Sequence, residues 1–270
     1  MENKKIIFIH ANGFPPNTYE NMFNPIREDF NCENYILKPA ENDISSILKL
    51  KNWNIFSEKF LDTLKSENKI IGIGHSIGGN VILRSAIRKP ENFSKIILLD
   101  PTLFTPITIF FWRISAFLNI QKIVHPWLKT SLNRKMIYNN FEEIFNSYRK
   151  KEIFRLINDD NLRIYIKSIT TLDKGGRIII NFSNFWEHQI YRTGLFTDME
   201  IWNNLKKLKV PTLILKAKKS TAFSDSAALK IKKMNLSNIK IKTIENSSHL
   251  FPLEFPEKTA KEILSYINSN

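Results

Sequence analysis

A chain of 270 residues with 43% hydrophobic side chains has the apolar content for one large domain or two small ones. Its formal charge of +14 comes from lysines scattered along the whole length, and none of the patterned aromatic and basic clusters of nucleic-acid readers accompanies them, so a nucleic-acid partner is not expected. Cys32 is the only cysteine, which excludes an intrachain disulfide and a cysteine metal cluster and favours a reducing, cytoplasmic setting.

In chain order, short β-rich apolar runs alternate with helical patterns, the signature of a parallel sheet. Lys5–Ile9 reads as a first strand, because its apolar run is too short for the core of a leader peptide. A helix around Thr18–Arg27, a strand Tyr35–Leu37, a long helix Ile44–Ser66, a strand Lys69–Ile73, a helix Ile77–Arg88 and a strand Lys95–Leu99 follow. Between Phe104 and about Trp202 the alternation stops. This stretch holds 18 of the 32 aromatic residues, shows helical periodicity, and offers only Arg177–Ile180 as a weak strand. The alternation resumes with strand Thr212–Lys216, helix Ala227–Met234, strand Ile239–Ile244 and helix Glu257–Ile267, where Pro256 suits a first helical turn.

The expected organisation is a core of residues 1–103 and 203–270, with a helical cap of residues 104–202 inserted at the carboxyl edge of the sheet. Leu103–Ile120 is apolar enough to raise a membrane reading. Pro106, Arg113, Ser115 and Asn119 interrupt it, short of the ~20 uninterrupted apolar residues of a span. Lining a pocket is the expected role, and dipping into a bilayer surface is the alternative.

Four of the eight glycines fall within Gly72–Gly79, between a buried strand and a helix. Gly74-His75-Ser76-Ile77-Gly78 reads there as a G-x-S-x-G nucleophile elbow, a turn that lifts the Ser76 hydroxyl out of the sheet. A serine hydroxyl needs a base within hydrogen-bond reach, itself oriented by a carboxylate. The candidate base is His249, directly after the last strand and on the same sheet edge as Ser76. His75 neighbours the serine but should point away from it, and His10 is expected to be a hydrogen-bonding strut.

Three marks in order make the chain resemble the α/β-hydrolase superfamily: His10-Ala11-Asn12-Gly13-Phe14-Pro15 after the first strand, the elbow at Ser76, and Ser247-Ser248-His249-Leu250 after the last strand. Ser248 stands where that superfamily usually has glycine. The resemblance implies a mostly parallel sheet of about six strands flanked by helices, without the superfamily's first two strands and with a helical cap insertion. It also implies an oxyanion hole from the main-chain N–H groups of Ile77 and Asn12, with Gly13 the alternative to Asn12. The usual position of the acid aligns with Thr221, which carries no charge. Asp100, ending the strand after the elbow, is the expected acid, because a carboxylate there is costly to bury without a partner such as His249; Asp225, four residues past Thr221, is the alternative.

The implied activity is a serine hydrolase acting through an acyl-enzyme on Ser76. Its substrate would be a small apolar carboxylic ester, or a thioester or lactone, and neither a cofactor nor a metal is needed. The alternatives are a ligand-binding protein on a hydrolase scaffold and a lipase-like enzyme at a membrane surface.

Overall fold

The computed structural model describes residues 5–37, 48–64 and 69–269. In chain order, β1 (Lys5–Ile9), α1 (Glu20–Arg27), β2 (Asn31–Tyr35), α2 (Asn54–Thr63), β3 (Ile70–His75), α3 (Ile77–Arg88) and β4 (Phe93–Leu99) form the first half of the core. An insertion follows, with α4 (Pro106–Phe117), α5 (Gln121–Val124), α6 (Pro126–Leu132), β5 (Ile137–Tyr138), α7 (Phe141–Arg149), α8 (Asp159–Ile169), β6 (Thr170–Leu172), β7 (Ile178–Ile180), α9 (Asn184–Thr193) and α10 (Asp198–Asn204). The core resumes with β8 (Thr212–Lys219), α11 (Asp225–Lys233), β9 (Ile239–Ser248), α12 (Phe251–Glu254) and α13 (Pro256–Asn268).

Six strands pair in the order β2-β1-β3-β4-β8-β9, every pair parallel. The central strands are covered on both faces, which is why they read as unbroken apolar runs rather than as alternation. Their side chains split by parity. Ile6, Phe8, Ile71, Ile73, Ile97 and Leu99 enter one hydrophobic cluster, whereas Ile7, Ile9, Ile70, Ile96 and Leu98 enter the cluster on the other face. All the parallel strands end at one edge, and the loops there carry His10, Ser76, Asp100 and His249.

Three expectations need correction. The second strand is Asn31–Tyr35, not Tyr35–Leu37. It is an edge strand whose side chains are mostly exposed, so it lacks an apolar run, and the apolar triplet Tyr35–Leu37 shares only Tyr35 with it. The long helix Ile44–Ser66 is not continuous. Residues 38–47 and 65–68 lie outside the described residues, residues 49–53 are not helical, and α2 starts only at Asn54, whose N–H bonds the Asn52 side chain at 2.9 Å. The insertion, finally, is not wholly helical. Its weak strand is the middle member of a three-stranded antiparallel sheet, β5-β7-β6. Those strands are two or three residues long, too short to leave a period in the sequence.

The aromatic residues of the insertion are largely its packing. Tyr148, Phe154 and Tyr165 stack together, and Tyr165 stacks on Phe14 of the loop after β1 with ring centroids 4.7 Å apart. At the insertion's return to the core, charge does the joining. Arg84 of α3 is almost wholly buried and lies 3.2 Å from Asp198 Oδ1 and 3.1 Å from Glu200 Oε2, both on α10. It also donates to Asn54 Oδ1 at 2.8 Å, while Asn80 donates to Asp198 Oδ1 at 2.9 Å. Among the described residues no helix is long and apolar enough to cross a membrane.

Burying ions is tolerable only when each is paired, and removing one partner strands the other. Arg84→Met is therefore expected to lower stability by about 3 kcal/mol in urea unfolding. Adding Asp198→Asn to that variant should recover part of the loss, because the stranded carboxylate is then neutral.

Candidate active site

The turn between β3 and α3 is built by close backbone approach. A Cβ on Gly74 would stand 2.3 Å from the carbonyl oxygen of Gly78, and one on Gly78 would stand 2.0 Å from the carbonyl oxygen of Ile9. Neither contact can relax, since both partners are main chain. The chain therefore crosses tightly enough to hold Ser76 at φ 56° and ψ −119°. A non-glycine residue in that region stores about 1–3 kcal/mol of strain, offset by the surrounding structure. The Ser76 N–H donates to Leu99 O at 3.0 Å, and the Ser76 carbonyl accepts from Asn80 N and Thr102 N at 3.1 and 3.0 Å.

His249 follows β9 directly and reaches both of its expected neighbours. Its Nε2 is 2.9 Å from Ser76 Oγ and its Nδ1 is 2.7 Å from Asp100 Oδ2. An ionised carboxylate only accepts, so Nδ1 carries the proton in a neutral ring, and Nε2 accepts from the serine hydroxyl. Thr102 Oγ1, 3.1 Å from Ser76 Oγ, is then left to donate to the serine oxygen.

Asp100 is fully buried and turns on a positive φ of 40° at the end of β4. Its Oδ1 accepts from Ala217 N at 2.9 Å, and its Oδ2 accepts from Ser220 Oγ at 2.5 Å as well as from His249. These three donors answer the cost of taking a carboxylate out of water. Asp225 is elsewhere. It stands almost fully exposed at the start of α11, where Lys216 at 2.9 Å holds its carboxyl below the usual range. It does not cap that helix either; Ser224 does, accepting from Ala227 N.

A second line of hydrogen bonds runs beneath the first. The Ala11 N–H donates to Tyr19 Oη at 3.3 Å, and Tyr19 Oη is 2.7 Å from His75 Nδ1. His75 Nε2 is 2.9 Å from the carbonyl oxygen of His249 and must donate to it, so Nδ1 accepts the phenol. Burial first, and the neighbouring His249 second, push His75 well below the usual imidazole range and keep it neutral. His75 thus faces away from the serine, as expected, but it ties the loop after β1 to the loop that carries His249. His10 is a strut. Its Nδ1 donates to Ala11 O at 2.8 Å, its Nε2 accepts from Leu37 N at 3.2 Å, and burial lowers its pKa.

Ser248, in the place of the superfamily's glycine, uses its hydroxyl and its N–H to hold the two oxygens of Glu254. Burial raises the Glu254 pKa, and the Ser248 hydrogen bonds oppose that rise. The sequence reading missed Tyr19, Thr102, Ser220 and Glu254. Thr102 and Ser220 could have been found, since each shares a loop with a candidate acid position; nothing in the sequence marks Tyr19.

Ser76 and His249 border a cavity of about 510 Å³. Its walls are mainly apolar, with Trp53, Phe104, Phe111, Trp112, Ile190 and Leu195 prominent. Asn12 and Ile77 border it beside the serine, and Ile77 is the first residue of α3, where helix geometry leaves the N–H without a partner inside the helix. The Asn12 side chain is drawn away, donating to Glu187 O at 3.3 Å. Thr221 borders the cavity too. Among the described residues no cluster of His, Cys, Asp or Glu could hold a metal ion.

The chain is 26% identical over 199 residues to the "uncharacterized hydrolase YugF" of Bacillus subtilis (strain 168), a match that spans 72% of this chain and 64% of that protein, less than two thirds of its length. Among solved structures it superposes on E-2-(acetamidomethylene)succinate hydrolase with a TM-score of 0.74 at 16% identity, covering 98% of this chain and 92% of that one. It also superposes on a novel esterase of Mycobacterium tuberculosis with a TM-score of 0.67 at 14% identity, covering 98% and 84%. These structures share its fold. The model of the Ndr family matches residues 58–269, from α2 to the end of α13, and the chain therefore belongs to the Ndr family and is a protein of the α/β-hydrolase type.

Proposed function

We propose that the chain is a serine hydrolase that cleaves carboxylic esters of apolar small molecules. The observation that carries this reading is the unbroken hydrogen-bonded line from Asp100 through His249 to Ser76 at the wall of an apolar cavity. Ser76 Oγ attacks the ester carbonyl carbon while its proton passes to His249 Nε2. The carbonyl oxygen becomes an oxyanion and accepts from the main-chain N–H groups of Ile77 and Asn12. The tetrahedral adduct collapses, the alcohol leaves with the proton from His249, and the acyl group stays on Ser76. Water then attacks the acyl carbon, giving a proton to His249 that returns to Ser76 Oγ as the carboxylic acid departs. Asp100 keeps the imidazole in the required tautomer and balances its charge while it holds the extra proton.

The apolar walls suit an alkyl or acyl chain, and residues 104–202 would act as the cap that closes over it. The names of YugF as a hydrolase and of the Mycobacterium tuberculosis protein as an esterase agree with this class of reaction. The mechanism needs no cofactor, and the single cysteine fits a cytoplasmic setting.

Steady-state hydrolysis of p-nitrophenyl esters from acetate to laurate tests the reading. Multiple turnover that disappears in Ser76→Ala is expected, with the preferred chain length measuring the cavity. A single stoichiometric release of p-nitrophenol, leaving Ser76 acylated, would instead favour a ligand-binding protein on this scaffold.

In the same assay Asp100→Asn should lower kcat by about 10³- to 10⁴-fold, whereas Asp225→Asn should stay within about twofold of native. The opposite ranking would reassign the acid. Tyr19→Phe removes the donor to His75 and loosens the loop of His249 without touching the cavity. It is expected to lower kcat about tenfold with little change in KM. A change confined to KM would sink the positioning role.

A further inference from the structure

The helix that follows Pro101-Thr102 toward the cavity rim carries apolar side chains on both its buried and its exposed face. α4 buries Ile109, Trp112 and Ser115, and its opposite face carries Ile107, Phe110, Phe111, Ile114 and Phe117 in the open. These outward positions recur at helical spacing, so they form one continuous face, and Leu118 just past it is exposed as well. The exposure is large: 66% for Ile107, 59% for Phe110 and 90% for Phe117. A surface helix ordinarily turns polar side chains outward, and a contiguous apolar patch of this kind marks an interaction site.

Charge identifies the partner. Arg113 is the only charged residue of α4. Arg134 and Lys135 farther along are paired with Glu187 and Glu143, so the charge that bears on the face is Arg113 itself within a chain of net charge +14. A second copy docking patch to patch would set like charges against each other. An anionic lipid surface answers both features at once, taking the aromatic and aliphatic side chains at the boundary of headgroups and acyl chains while its charge attracts Arg113 and the positively charged chain. The patch is also next to the cavity, because Phe111 is both exposed and part of the cavity wall.

From the exposed apolar face of α4, the Arg113 cation on it and the net positive charge of the chain, we infer that this face docks the protein onto an anionic membrane surface, with the cavity rim at the lipid boundary. Docking of this kind gives apolar molecules dissolved in the lipid a path to the cavity that avoids water. It is a peripheral contact and needs no spanning helix.

Co-sedimentation with vesicles tests the docking itself and needs no turnover, so its failure is distinct from failure of the ester-hydrolase reading. The probes are vesicles of phosphatidylcholine alone and equimolar mixtures of phosphatidylcholine and phosphatidylglycerol. Native protein should partition onto the anionic vesicles, less so as salt is raised. Phe110→Asp with Phe117→Asp should weaken that partition about tenfold or more. Both positions are exposed, so the thermal midpoint of the double variant should match native, and the milder Phe117→Ser should weaken binding in the same direction. Absence of native partition, equal binding to both kinds of vesicle, or equal binding by native and variants would each overturn the inference. So would sedimentation velocity that finds a native dimer dissolved by the double substitution while no vesicle binds.

Discussion

A single buried carboxylate holds the site's geometry together. Asp100 has no access to water, and a charge in that position is stable only if its donors are all in place. The donors come from parts of the chain far apart in sequence: the Ala217 N–H on β8, the Ser220 hydroxyl just past it, and the imidazole of His249 after β9. Register between β4 and β8 supplies the first two, and the end of β9 supplies the third. Ser76 is fixed to the same strand end, through its N–H on Leu99 O, one residue before Asp100. The spacing of the three side chains is therefore a property of the sheet rather than of flexible loops.

Support beneath that line is polar and neutral. The series Ala11, Tyr19, His75 and His249 crosses from the loop after β1 to the loop after β9, under the strained turn at Ser76. It works because His75 is uncharged. A protonated imidazole would donate at both nitrogens, lose the Tyr19 acceptor site, and place a positive charge beside His249. Ser248 stiffens the same loop from the other side by gripping Glu254. The loops after β1 and β9 are thus held by side chains whose hydrogen bonds do not reach the Ser76 hydroxyl.

How far the sequence could be read depended on how locally each feature is encoded. The parallel core was legible because its strands are buried on both faces and its helices carry apolar stripes. Ser76, His249 and Asp100 were legible because each sits at a strand end that the alternation itself located. The preference for Asp100 over Asp225 rested only on the cost of burying an unpaired carboxylate, since the distance from either one to His249 depends on pairing between β4, β8 and β9. Edge strand β2 escaped for the opposite reason: half-exposed and polar, it leaves no apolar signal. The small sheet β5-β7-β6 escaped because its strands are two or three residues long. Tyr19 and Arg84 act through partners scores of residues away, and no local pattern announces such contacts.

Because the carboxylate facing His249 ends β4, the loop after β8 supplies only the Ser220 donor to that carboxylate and has no acid at the position where the superfamily usually keeps one. Thr221 and its neighbour Ala222 are left as wall of the cavity. Neither of these two side chains is among the hydrogen-bond partners of Asp100 or His249. Under the proposed function, selectivity for what fits the cavity and competence of the serine would be separable traits, so that one could drift while the other is held.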